Sequence, residues 1–189
     1  MKKHLVNAVL MTAVTTILLG IIYPLVITGL AQLLFPGRSN GQIIYRDGHA
    51  IGSRIIGQPF TGDAYFHSRP SAAGAGYNAA DSGGSNLGPT NHVLIDEIEQ
   101  RVKAEQVGSQ PVPIDLVTAS ASGLDPDISP AAADYQAPRV AHARGIPPSV
   151  LHALIERHTE HRQLHFLGAD RVNVLELNLA LDRRYPVHN

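Results

Sequence analysis

From Tyr77 to Asn91 the chain reads Tyr77-Asn78-Ala79-Ala80-Asp81-Ser82-Gly83-Gly84-Ser85-Asn86-Leu87-Gly88-Pro89-Thr90-Asn91, a run of hydroxyl, amide and glycine residues. Backbone N–H groups of such a loop, placed ahead of a helix, can hold an anion. A phosphate loop of the Walker kind does not fit. Gly83 and Gly88 lead into Pro89 and Thr90, with no lysine to meet terminal phosphates. Ser82 and Ser85, with scattered His and Asp, supply the residue types of an acyl-transfer triad, but no Gly-x-Ser-x-Gly elbow presents either serine. A membrane-tethered extracytoplasmic Ser/His/Asp hydrolase is the alternative function these types leave open. His158, His161 and His165 would share a face if a helix ran that far, as metal ligands can. The interleaved Glu156, Arg157, Glu160 and Arg162 describe a solvated helix end instead. No catalytic residue and no metal ligand is assigned.

What remains is a loop that can satisfy itself. Asn78, Ser82, Ser85 and Asn86 can pair backbone groups that a non-repetitive segment leaves open, so order is expected. The candidate functional residues are Tyr77, Asn78, Ser82, Gly83, Gly84, Ser85, Asn86, Gly88, Thr90 and Asn91. Gly84 is expected to hold a positive φ, which would bar a β-branched residue.

The elements that must carry this loop follow from composition and period. With 15 basic and 16 acidic residues in 189, the net charge of -1 excludes an electrostatic nucleic-acid binder. The absence of cysteine removes disulfides, thiolate chemistry and Cys-based zinc sites. No Lys, Arg, Asp or Glu lies between Lys3 and Arg38, and about 20 apolar residues suffice to cross a bilayer. Residues 5–34 therefore contain one transmembrane helix, residues 1–4 form a cytoplasmic N-terminus, and residues 38–189 form one soluble domain. The apolar run exceeds the roughly 15 residues of a signal-peptide core, so the helix is retained as an anchor. Lys2 and Lys3 abut the span and hold the N-terminus inside, which places the domain outside the cytoplasm. Thr12, Thr16, Gly20 and Tyr23 recur on one face, a stripe suited to packing against another membrane helix.

Within the domain, Asp47-Gly48 between two β-prone runs predicts a hairpin of residues 42–45 and 50–56. Residues 57–91, broken by proline and glycine, form a long loop. Thr90 or Asn91 caps a helix to about Gln106 with Leu94, Ile95, Ile98 and Val102 as its apolar stripe. A short strand is expected over Pro113 to Thr118. Ser129-Pro130 starts a helix interrupted at Pro138 and stopped by Gly145. Another helix runs from near Pro148 to near His161, with Val150, Leu151, Leu154 and Ile155 inward. A last strand is expected over Val172 to Leu177, followed by a turn of helix over Leu179 to Arg184. The fold class is α+β: a single N-terminal transmembrane helix and one compact extracytoplasmic α+β domain.

Four stretches together resemble one family. They are Tyr65-Phe66-His67-Ser68-Arg69-Pro70-Ser71, the run Tyr77 to Asn91, Gly123-Leu124-Asp125-Pro126-Asp127-Ile128-Ser129-Pro130, and Tyr135-Gln136-Ala137-Pro138-Arg139-Val140-Ala141-His142-Ala143-Arg144-Gly145. With the segment from Val172 to Leu181 and the N-terminal span, the chain is similar over essentially its whole length to KdpC, the C subunit of the bacterial Kdp potassium-transporting P-type ATPase. The resemblance implies an accessory role in a high-affinity potassium importer at the bacterial plasma (inner) membrane. The implied partners are a potassium-binding channel-like subunit, the P-type ATPase subunit and a small single-span subunit. ATP and potassium belong to the complex, and this chain is expected to bind no cofactor itself. The phosphorylatable Asp-Lys-Thr-Gly-Thr motif of a P-type pump does not occur here. The resemblance also implies a catalytic-chaperone effect on ATP affinity, with Ser82 to Ser85 touching nucleotide, which an extracytoplasmic loop could not do directly.

Overall fold

The structure is a computed structural model and describes residues 1–187. The chain divides into two compact units, Met1–Ala50 and Ile51–Asn189.

In the first unit, α1 (Lys2–Ile17) and α2 (Tyr23–Leu34) are joined by a single wide turn over Leu18–Ile22, in which the Tyr23 N–H donates to Leu18 O. Pro24 accounts for the widening, because its ring would strike the carbonyl four residues back, at Gly20, and it has no N–H to give. The result is one apolar helix of 33 residues, Lys2–Leu34, in which an 18-residue stretch reaches a mean hydropathy of 2.3 and no residue is buried. At about 1.5 Å per residue it is roughly 50 Å long, more than the bilayer core requires. A short helix, α3 (Pro36–Ser39), follows a break at Phe35. Strands β1 (Ile43–Arg46) and β2 (His49–Ser53) pair, and their turn has positive φ at Asp47 and Gly48, as a tight hairpin demands.

The second unit is α+β. Helix α4 spans His92–Glu105, β3 Asp127–Ile128, α5 Pro130–Arg144, α6 Pro148–His158, β4 Thr159–Glu160, β5 Arg171–Asn173 and α7 Val174–Arg184. The three short strands form an antiparallel sheet in the order β3-β5-β4, with Ile128 opposite Val172 and Thr159 opposite the same Val172. The core is aliphatic and small. Ala132, Ala133, Ala137 and Ala141 of α5 let α6 approach closely with Leu151, Leu154 and Ile155, and Val172, Leu177 and Leu181 close the far side around Phe66.

Four local expectations need correction. Pro113 to Thr118 is a 3-10 turn over Ile114–Leu116 and not a strand, because the Thr118 N–H and hydroxyl both return to Ile114 O and Asp115 accepts Ser129 N. Helix α5 runs through Pro138 without interruption, held by the buried alanines on either side. Helix α6 stops at His158, where the Thr159 hydroxyl takes Ile155 O and the backbone turns extended into β4, so His158, His161 and His165 do not share a helix face. The strand at Val172 ends at Asn173, whose side chain accepts Glu176 N and starts α7, so Val174 to Leu177 is helical. The expected caps at Asn91 and Ser129 are present, and Gly145 ends α5 with φ 65°.

Candidate functional site

Residues 54–91 contain no helix and no strand, yet their backbone is extensively bonded by side chains from elsewhere. The clamp begins with arginines. Arg139 donates to Gly62 O and Asp63 O, and the buried Arg144 donates to Ala64 O, Tyr185 O and Asp182 while lying 4.8 Å over the Tyr65 ring. Two amides continue it. Asn178 of α7 accepts from Phe66 N and donates to Phe66 O, both at 2.9 Å. Gln136 of α5 accepts from His67 N at 2.7 Å and donates to His67 O at 3.2 Å. Each amide imitates one rung of a β-ladder, and both are almost fully buried.

Beyond this clamp the loop docks on residues 120–125. The Arg69 guanidinium meets Asp125 at 3.0 Å, and the Ser71 hydroxyl donates to Gly123 O at 2.6 Å while accepting from Ala73 N and Tyr77 N. The Tyr77 hydroxyl reaches Arg69 O, and burial raises its pKa. Tyr77 itself sits at φ 55°, an uncommon conformation for a non-glycine residue that the two Ser71 and Arg69 contacts hold in place. Asn78 closes a turn by accepting Ala80 N. Ser82 Oγ and Gly83 N both donate to Ser122 O, at 2.9 Å each.

Gly84 has an ordinary φ, contrary to expectation. A side chain there would instead press on the Ala121 backbone, with the nearest atom at 3.1 Å. A positive φ is held instead at Gly123, at 65°, where a Cβ would also lie 2.6 Å from Ala73 N and Gly83 O. The rest of the run is looser. Ser85, Asn86, Gly88 and Thr90 are exposed, Asn86 has φ 53°, and Asn91 leaves the loop by capping α4 through Val93 N.

The loop presents a polar edge at Asn78 and Asp81, both exposed, and the looser Ser85 and Asn86 beyond it are exposed as well. Such an edge can exchange hydrogen bonds with a partner surface. The Ser82 hydroxyl donates to the Ser122 carbonyl rather than to an imidazole. Among the described residues, no group of three or more His, Asp or Glu is placed to hold a metal ion.

Helix α4 borders a cavity of about 330 Å³ lined by Phe60, His67, Arg101, Ala104, Glu105 and Leu116 among others. His67 Nε2 lies 3.0 Å from Gly62 O, and its Nδ1 lies 4.0 Å from Glu105. The neighbouring His67 imidazole lowers the Glu105 pKa from its ordinary value, against its partial burial. Tyr135 bridges the end of α4, donating to Glu105 O and accepting from Val107 N. Of the stripe, Leu94, Ile98 and Val102 are partly covered and Ile95 is exposed, and no residue of α4 is fully buried. In the first unit, Thr12, Thr16, Gly20 and Tyr23 are all exposed. The hydroxyl that turns back onto its own helix is that of Thr15, toward Met11 O and Thr12 O.

Gln136 and Asn178 are the positioning residues that sequence reasoning passed over, and so is Ser71. The available signal was an amide set among alanines at Gln136, where a helix facing a core ordinarily carries an apolar residue.

Residues 5–183 match the family model described as KdpC: K+-transporting ATPase, c chain. The chain is 61% identical over 189 residues to the potassium-transporting ATPase KdpC subunit of Koribacter versatilis, covering 99% of this chain and 98% of the relative. It is 60% identical over 183 residues to the same subunit of Acidobacterium capsulatum, covering 97% and 100%. With that of Rhodospirillum rubrum it shares 53% identity over 191 residues, covering 99% of each.

Proposed function

Because this chain belongs to the KdpC family, the c chains of K+-transporting ATPases, we propose that it is a non-catalytic accessory subunit of an ATP-driven potassium importer. The family makes it part of a potassium-transport complex. In our reading it assembles there with a channel-like potassium-binding subunit, a P-type ATPase subunit and a small single-span subunit. The helix Lys2–Leu34 anchors it in the plasma (inner) membrane with Lys2 and Lys3 on the cytoplasmic side and the α+β domain outside. The face of Thr12, Thr16, Gly20 and Tyr23 packs on a partner membrane helix.

The observation that carries this reading is the loop of residues 62–84, whose backbone is fixed from behind while its polar edge stays exposed. A surface held rigid at such cost in buried amides suits recognition of a partner subunit better than turnover of a substrate. ATP and potassium then act at the level of the complex, and support for ATP use passes through assembly rather than through direct contact with nucleotide.

A Ser85→Cys variant tests the arrangement, since the chain supplies no background thiol. Membrane-impermeant maleimide should label it in intact cells with a permeabilised outer membrane and not from the cytoplasmic side of inverted vesicles. Labelling from the cytoplasmic side alone would reverse the topology and return nucleotide contact to the loop. In parallel, Gly20→Leu should lower co-purification of the partner subunits and potassium uptake at micromolar external potassium.

A further inference from the structure

The end of the apolar helix carries a notch that the proposed function does not use. Helix α2 stops at Leu34, and Phe35, at φ -137° and ψ 56°, turns the chain into the single helical turn of α3. That bend is firmly made: Phe35 N donates to Ala31 O at 2.8 Å, Ser39 N to Phe35 O at 2.9 Å, and Asn40 Nδ2 to Pro36 O at 2.8 Å. It leaves a cavity of about 290 Å³ lined by Ala31, Phe35, Arg38 and Ser39. One wall is apolar, from the Ala31 methyl and the half-exposed Phe35 ring. Arg38 also lines the cavity, and its side chain makes no hydrogen bond or ion pair among the described residues. Ser39 contributes a hydroxyl that already donates to Pro36 O.

Depth identifies the occupant. Arg38 is the first charged residue after the uncharged run that follows Lys3, so a helix seated across the bilayer brings it to the headgroup layer, roughly 5–8 Å thick outside the hydrocarbon on each side. An arginine at that level, lining one recess with Ala31 and Phe35, can meet both parts of a phospholipid. We propose that this notch is a phospholipid site, with the lipid phosphodiester paired to Arg38 and the start of an acyl chain lying against Ala31 and Phe35. The planar guanidinium matches two phosphate oxygens at once, which an ammonium cannot do. The proposal rests on the helix being a membrane anchor, as read above, but not on the side of the membrane.

The test uses the full chain, purified in mild detergent and titrated with dihexanoylphosphatidylglycerol, with bound lipid counted by native mass spectrometry. The unmodified chain should retain one lipid, and Arg38→Gln should weaken retention about tenfold, the loss of one charge-assisted pairing. Phe35→Ala should weaken it less, and Arg38→Lys should restore part of the loss. Inorganic phosphate should not displace the lipid, because it cannot use the apolar wall. Equal retention by Arg38→Gln, or displacement by inorganic phosphate at similar concentration, overturns the site. Alkaline extraction of membranes separates this failure from that of the anchor: a chain that stays in the pellet but binds lipid independently of Arg38 keeps its anchor and loses the notch.

Discussion

The loop of residues 62–84 and helix α4 invert the usual relation between regularity and anchorage. The loop has no repeating hydrogen bonds of its own, yet Phe66 is wholly buried and the backbone on both sides of it is paired by Arg139, Arg144, Gln136 and Asn178. Helix α4 satisfies its own backbone over 14 residues and buries none of them. It is tied to the body near its C-terminal end by Tyr135, by the contact of Glu105 with His67, and by Arg101 reaching Val117 O. Periodic structure therefore does not measure how firmly a segment is held. A segment without internal pairing must be paired by the rest of the molecule, and so acquires its partners at fixed places. A helix needs no such help and can stay at the surface without fully burying any of its residues.

The contrast is broken most directly at the clamp. Asn178→Leu keeps the heavy-atom count and branching but leaves a buried N–H and a buried C=O of Phe66 unpaired, and at about 1–3 kcal/mol each the expected loss is about 2–6 kcal/mol. Urea unfolding of the full chain in detergent measures it. A loss no larger than that of an exposed substitution would mean that the loop is not held by its amides. Next is Gly123→Ala, expected to cost about 1–3 kcal/mol because a side chain there is both in the left-handed region and against the Ala73 and Gly83 backbone. Gly83→Ala is its control, with open space and an ordinary φ, and should change stability by less than about 0.5 kcal/mol.

Tyr135→Phe addresses the other side of the comparison. It removes the hydroxyl that bridges Glu105 O and Val107 N, with an expected loss of about 1 kcal/mol. The effect should be local, so amide exchange should quicken in α4 and leave α5 and α7 unchanged. Faster exchange throughout would show α4 to be part of the core. The smallest effect is on pH dependence. Glu105 has a folded pKa below its unfolded one, so its contribution is complete above the ordinary carboxylate range and is lost as pH falls through the folded value. Glu105→Gln should remove that acid-side loss and leave stability near neutrality slightly reduced. An unchanged acid limb would separate Glu105 from His67.

The legible parts of this molecule are those whose causes are close in sequence. The apolar run to Leu34, the caps at Asn91 and Ser129 and the stop at Gly145 all concern residues within a few positions of one another. Val172 to Leu177 was ambiguous for the same reason: a short apolar run suits either state, and the Asn173 cap decides for helix. The α4 stripe shows that amphipathic spacing declares one face apolar without saying which molecule covers it. At the loop, the residue set from Tyr77 to Asn91 was recognisable by its types. Its supports were not, because Gln136 and Asn178 lie 69 and 112 residues from the groups they bind. Gly84 is a further instance, since the Ala121 backbone that crowds it belongs to a different part of the chain.

The distance from Phe66 to Asn178 also sets an order of events during synthesis. At about 5–20 residues per second, the 112 residues between them take roughly 5–20 s to emerge, and for that interval Phe66 has no partner for its backbone. Closure of the segment is thus postponed until α7 has been made, and its contact order makes it one of the slower steps of folding. A ribosome that stalls before Asn178 leaves a product whose early loop cannot lock and whose Phe66 remains open to quality-control proteases.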